Sequence, residues 1–212
     1  MNDNISRNDV AQQPPVEDLD LDGFPDGGHP SDAAFRAHLA EFGPWYFASH
    51  DHSRFNLADP NGTCYFADEI ETAVREFFGQ RIRRNELAEE DVAKLKVSRI
   101  NPPSDATYAH ISGKGAATYG ITSELTTMGD YSVTRAWAER LKDVFDGLRY
   151  SSRFNPGATS WALFGQAGAA PSLGVEPDAS LNGVDAAHAA GIRILPTATP
   201  PRKSAVRLIP PP

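Results

Sequence analysis

The chain has 212 residues, 40% apolar, 9% aromatic and 23% charged, with a formal net charge of −8, a composition that suits one globular domain with its own core. No run of eighteen apolar residues occurs and the first thirty residues are acidic and polar, so neither a membrane span nor a secretory leader is expected, and the protein reads as cytoplasmic. The charge is uneven, −6 over residues 1–30, +3 from Pro196 onward and −5 between; a mildly acidic domain does not attract nucleic acid or anionic lipid over long range, so a phosphate-bearing ligand would need locally placed arginines.

Residues 1–30 hold too few large apolar groups to offset the entropy of ordering them, and are predicted to be a disordered acidic tail. After Ser31 or Asp32, the spacing of Phe35, His38, Leu39 and Phe42 predicts a short helix that Gly43-Pro44 stops. A strand is expected at 45–48, and Asp59-Pro60-Asn61-Gly62 is a turn leading into a second strand at 63–67. Asp68 is expected to cap a helix in which Ile70, Ala73, Val74, Phe77 and Phe78 form the buried stripe. Glu76 lies about 130° from the centre of that stripe, beside the core rather than in it. Residues 85–93 predict another helix and 94–100 a strand, whereas 107–127 has no clear period. Val133, Ala136, Trp137, Leu141 and Val144 predict an amphipathic helix after Asp130. Strands at 148–150 and 160–164 flank a polar loop, and a helix at 184–190 precedes a strand at 192–195. Six prolines from Pro196 onward predict an extended basic tail over 196–212. The expected architecture is therefore α+β, one domain over 31–195 between two tails.

No glycine fingerprint of the Rossmann or P-loop type follows a strand. His50-Asp51-His52 puts two imidazoles on one side of an extended segment, but no further His or Cys cluster joins them, so no metal is expected and a solvated loop explains them. Ser151 and Ser152 lack a GxSxG elbow. The single cysteine, Cys64, reads as a small buried hydrophobe, and Trp45, Trp137 and Trp161 as core. Arg54, Tyr65 and Glu76 stand eleven residues apart. Taken singly they read as a surface arginine, a strand aromatic and a solvated helix glutamate; what singles them out is their joint occurrence ahead of Asp146-Gly147-Leu148-Arg149-Tyr150-Ser151-Ser152.

In that order and context the chain resembles the RES-domain family, toxins of bacterial toxin–antitoxin pairs. The family's Arg-aromatic-Asn element is matched by Arg54-Phe55-Asn56, its Tyr-bearing strand by Cys64-Tyr65-Phe66-Ala67, its Ala-x-x-Glu helix by Ala73-Val74-Arg75-Glu76, and its Asp-Gly-x-x-Tyr-x-Ser element by residues 146–152, which makes Ser152 the family serine. The likeness covers roughly residues 45–195. One departure stands out: many relatives carry an arginine directly after the aromatic of the first strand, where Tyr46 is followed here by Phe47, which implies a missing phosphate contact.

The resemblance implies a fold similar to ADP-ribosyltransferases and an enzyme that cleaves the nicotinamide–ribose bond of NAD, passing the ribose to water, to inorganic phosphate or to a protein side chain. It implies that Glu76 stabilises the developing ribose cation, worth about 4 kcal/mol at about 4 Å and an effective dielectric near 20. Arg54, with Phe55 and Asn56 beside it, would hold the ligand's phosphates by its planar fork. Tyr65 would stack on nicotinamide or orient Glu76, and Ser152 would bond a ribose hydroxyl or a phosphate oxygen. An Xre-type antitoxin partner and a homodimer are implied as well. A weakly active NAD- or antitoxin-binding module is the reading from a different class, motivated by Phe47 and the tails.

Overall fold

The computed structural model describes residues 11–30, 34–174 and 180–197. These form, in chain order, β1 (Ala34–Leu39), β2 (Tyr46–Phe47), β3 (Asn61–Ala67), α1 (Ile70–Phe78), β4 (Glu86–Ala88), α2 (Glu89–Val92), β5 (Leu95–Ile100) and β6 (Tyr108–His110), then α3 (Tyr131–Leu141), β7 (Gly147–Ser151), β8 (Thr159–Gln166), β9 (Gly168–Ala169), β10 (Ser180–Asn182), α4 (Gly183–Ala189) and β11 (Arg193–Leu195). Seven strands make a mixed sheet in the order β10-β5-β1-β3-β8-β7-β6, in which only β6 and β7 run parallel. Short two-stranded pairs, β11 with β4 and β2 with β9, complete an α+β domain.

The middle of the sheet is buried on both faces. Along β8, Ala162 and Phe164 point into a core with Phe55, Leu57, Trp137, Leu141 and Tyr150, whereas Trp161 and Leu163 join Trp45, Phe47, Phe66 and Tyr108 on the other side. This two-sided burial explains why Trp161-Ala162-Leu163-Phe164 is continuously apolar rather than alternating. The third core holds α1 and α4 against β1 and β5 through Val74, Phe78, Val97, Ala186 and Ala187. Fully buried Cys64 and all three tryptophans are core residues. Among the described residues no helix is long and apolar enough to cross a membrane.

Four local expectations are corrected. The helix expected after Ser31 is the strand β1: buried Ala34, Arg36 and His38 alternate with Phe35, Ala37 and Leu39, and six residues pair with β5. A run this short fits a period of 2 as well as 3.6, and sheet pairing on both sides decides it. Residues 85–93 are likewise the strand β4 followed by one turn of helix, α2. Asp68 does not cap α1, whose N-cap is Glu69; its carboxylate accepts from Trp161 Nε1 at 2.8 Å instead. Val144 lies beyond the end of α3 and is exposed.

A further correction concerns the N-terminal tail. Residues 1–10 lie outside the described residues, but 11–30 are packed against the domain. Leu21 and Phe24 enter the first core. Gln12 Nε2 donates to the carbonyl of Gly120 and its Oε1 accepts from Thr122 N at 2.7 Å; Trp137 Nε1 donates to the Gln13 carbonyl. Pro25 O accepts from His110 N at 2.8 Å. Two well-placed apolar side chains and a satisfied backbone outweigh the polar composition from which disorder was expected. At the other end residues 198–212, most of the predicted proline-rich tail, lie outside the described residues.

Candidate active site

β1 pairs with β5 along all six residues, but with β3 only at Phe35↔Ala67. Beyond that point the two strands part, and a cavity of about 660 Å³ opens between them, within the range of roughly 300–1,000 Å³ usual for small-molecule sites. Its walls come from β1 (Arg36, His38, Leu39), the segment before β3 (Tyr46, His50, His52, Ser53, Arg54), β3 itself (Thr63, Tyr65), α1 (Ala73, Glu76, Phe77) and three more distant aromatics, Tyr131, Tyr150 and Phe154.

Glu76 faces this space from α1, anchored by the buried Ala73, Val74 and Phe78. Its Oε1 accepts from Ser152 Oγ at 2.5 Å, from Arg153 N at 3.1 Å and from Phe154 N at 3.5 Å. The carboxylate is thus held through one oxygen, the other, Oε2, has no donor among the described residues, and the residue lines the cavity. Ser152 is only 4% exposed and does not line the cavity; its hydroxyl also accepts from Asn155 N at 2.9 Å. The structure therefore places Ser152 off the cavity wall, with its hydroxyl on Glu76.

The motif around it has a physical basis. Asp146 Oδ2 accepts from Thr107 N at 2.9 Å and fixes the start of β7, and a Cβ on Gly147 would collide with the Ala162 carbonyl and the Tyr108 ring. From there the alternation of β7 sends Leu148 and Tyr150 into the first core, and the chain delivers Ser152 to Glu76, 76 positions earlier.

Arg54 lies on the cavity wall with its guanidinium 5.2 Å from the centre of the Tyr131 ring and Nη1 donating to the Met128 carbonyl at 2.8 Å. Burial, with a smaller contribution from Arg153, lowers its pKa from the usual arginine value, and Tyr131, Tyr150 and Glu76 oppose the shift; a guanidinium stays a cation in proteins. Tyr65 accepts from Phe55 N at 2.9 Å through its hydroxyl, and burial raises its pKa well above that of free tyrosine. It makes no hydrogen bond to Glu76. Phe55 is fully buried in the core and Asn56 donates to the His50 carbonyl at 2.8 Å; neither is among the residues that line the cavity. Their side chains shape the loop that carries Arg54.

Sequence reasoning missed Arg36. Phe47 is buried in the second core, its ring against Gly165. The first strand is β1, and there an aromatic, Phe35, is followed directly by Arg36. The helical reading of this stretch passed over that pairing. Arg36 is 9% exposed and spans the gap where β1 and β3 separate, Nη2 donating to Tyr46 O at 2.8 Å and Nη1 to Tyr65 O at 3.1 Å and to Cys64 Sγ. Its Nε is buried without a partner. Among the described residues neither Arg36 nor Arg54 has a carboxylate within ion-pair distance. Two such guanidiniums on one cavity favour an anionic occupant, since a buried charge is costly until paired. No group of three or more His, Cys, Asp or Glu among the described residues is arranged for a metal ion. His50 and His52 line the cavity as an exposed pair.

Residues 29–182 match the RES domain. The chain belongs to the RES domain family. A chain of the crystal structure of the M. tuberculosis MbcT–MbcA toxin–antitoxin complex is similar to it in fold, with a TM-score of 0.55 at 12% identity over 76% of this chain and 89% of that one. No curated protein matches the sequence. The matched RES region takes in every residue of the cavity wall, from Arg36 to Phe154, together with Ser152. The packed N-terminal segment up to Gly28 lies outside it, although Leu21 and Phe24 are part of the core.

Proposed function

We propose that this RES domain is the toxin of a toxin–antitoxin pair and that it consumes NAD in the cytoplasm by breaking the nicotinamide–ribose bond. The observation that carries the reading is one cavity that combines two guanidiniums lacking carboxylate partners with a carboxylate whose second oxygen has no donor among the described residues. A dinucleotide presents the complement: a pyrophosphate for the arginines and a ribose that becomes cationic as neutral nicotinamide departs. Glu76 Oε2 would stabilise that cation and take the proton of an attacking water or phosphate. Arg54 and Arg36 would hold the phosphates, and Tyr65 would stack beside the nicotinamide. No metal takes part in this scheme.

The test is release of nicotinamide from NAD by the purified protein, with and without inorganic phosphate. Glu76→Gln should lose about 10³-fold in kcat, the rate equivalent of about 4 kcal/mol. Absence of turnover in wild type under both conditions would overturn the reading. Transfer of ADP-ribose to a protein is the alternative outcome, visible as a labelled target in lysate with little free ADP-ribose. The similarity to a toxin–antitoxin complex supports an antitoxin partner; an antitoxin of Xre type and a homodimeric toxin are part of the same proposal. Against a weakly active binding module, this reading assigns to Arg36, on the same cavity wall as Tyr46, the cation that Phe47 does not provide.

A further inference from the structure

The cavity wall includes one large aromatic that the catalytic reading leaves unused. Phe42 is 41% exposed, yet its backbone is fixed at both ends: its N–H donates to Leu39 O at 3.0 Å and its carbonyl accepts from His38 Nδ1 at 2.7 Å. Its ring centre stands 4.9 Å from that of Tyr46, with 33° between the planes. Both residues line the cavity. An apolar ring held in place but left in water is suited to receive another flat surface.

Contacts give the order of groups along the cavity. Phe42 lies against Tyr46; the Tyr46 carbonyl is held by Arg36; the next nitrogen of Arg36 holds the Tyr65 carbonyl. Tyr65 is within the electrostatic reach of Arg54 and Glu76. The aromatic pair and the carboxylate thus line one cavity and connect to Arg36 through different carbonyls, those of Tyr46 and Tyr65. A ligand with its phosphates on that cation and its reacting sugar at Glu76 would extend its far end over Phe42.

We propose that Phe42 and Tyr46 form a stacking subsite for the adenine ring of an adenine nucleotide, with Arg36 receiving the adjoining phosphate. Its place in catalysis rests on the NAD reading above, but the subsite binds ADP on its own. Base–aromatic stacking is worth roughly 1–3 kcal/mol per base, so loss of one ring corresponds to about a tenfold or greater change in affinity.

Calorimetric titration of the full chain with ADP and with nicotinamide mononucleotide, in wild type, Phe42→Ala, Phe42→Leu and Phe42→Trp, tests this. Phe42→Ala and Phe42→Leu should weaken ADP about tenfold and leave the mononucleotide unchanged, while Phe42→Trp keeps or improves ADP binding. With NAD as substrate, Phe42→Ala should raise KM about tenfold at unchanged kcat. Phe42→Leu retains apolar bulk without a π face and keeps the test valid should the alanine variant misfold. Equal ADP affinity in wild type and both truncated variants, an equal loss for ADP and the mononucleotide, or no ADP binding to wild type would overturn the subsite. Phe42-dependent ADP binding by a wild-type protein that does not turn over NAD would instead leave the subsite standing and overturn the NAD-consuming reading.

Discussion

Ser152→Ala separates a residue that supports the carboxylate proposed here as catalytic, Glu76, from one that touches the ligand. The substitution removes the 2.5 Å bond to Glu76 Oε1 and the acceptor of Asn155 N, while Arg153 N at 3.1 Å still reaches the carboxylate. A hydrogen bond to a charged group is worth roughly 1.5–3 kcal/mol, and an O–H···O⁻ contact this short is in the charge-assisted range. With the Arg153 amide still in place, part of that energy appears as lost carboxylate orientation, so kcat should fall roughly 10- to 100-fold, the equivalent of about 1.4–2.7 kcal/mol. KM should stay nearly constant, because Ser152 is buried and does not line the cavity. Stability should drop by about 1–3 kcal/mol as the Asn155 N–H loses its acceptor. Steady-state nicotinamide release together with urea unfolding measures all three, and Ser152→Thr, which retains the hydroxyl, should recover most of kcat. A rise in KM at unchanged kcat would refute the reasoning, for it would mean that Ser152 contacts the ligand directly.

Arg36→Lys keeps a positive charge but cannot span Tyr46 O and Tyr65 O as a fork; KM for NAD should rise about tenfold, or about 1.4 kcal/mol. A lowered melting temperature with unchanged KM would show Arg36 to be only a strut between the parted strands. His38 supplies a pH test. Burial lowers its pKa below the ordinary 6.5, reinforced by the cations of Arg36 and Lys96 and opposed by its bonds to the carbonyls of Leu39 and Phe42. The folded state therefore prefers neutral His38, while the unfolded chain protonates as pH falls below about 6.5. The contribution is fully present above that pH and is lost progressively as pH falls toward the folded-state value. The urea midpoint should drop more between pH 7.5 and 5.5 in wild type than in His38→Gln, and equal drops would refute the assignment.

Helical and strand periods were readable wherever the chain buries a long or one-sided stripe. α1, α3, β5 and β8 lie close to the expected positions because Ile70, Val74 and Phe78, or Trp137 and Leu141, recur with a single period. β1 was not readable. Its six residues carry Arg36 and His38 on a buried face, and polar groups are affordable there only because Tyr46 O, Tyr65 O, Leu39 O, Phe42 O and Ser98 Oγ receive or supply hydrogen bonds. None of those partners is visible from the local sequence. The same blindness applied to residues 11–30, whose ordering depends on a few distant acceptors and two apolar anchors.

By itself the sequence determined the α+β class, the burial of Cys64 and the tryptophans, and the phase of α1 that sets Glu76 beside the core, all consequences of local period and composition. It also set out Arg54, Tyr65 and Glu76 at equal intervals. Tertiary structure decided which groups meet: Ser152 reaches Glu76 across 76 positions, Phe55 and Asn56 turn inward, and Arg36 takes its place on the cavity wall. It also made the cavity, because β1 and β3 pair at one position and then part. The physical reason is that periodicity records which face of an element is buried, whereas the partner of a side chain is set by strand order and register, which bring remote residues within hydrogen-bond distance.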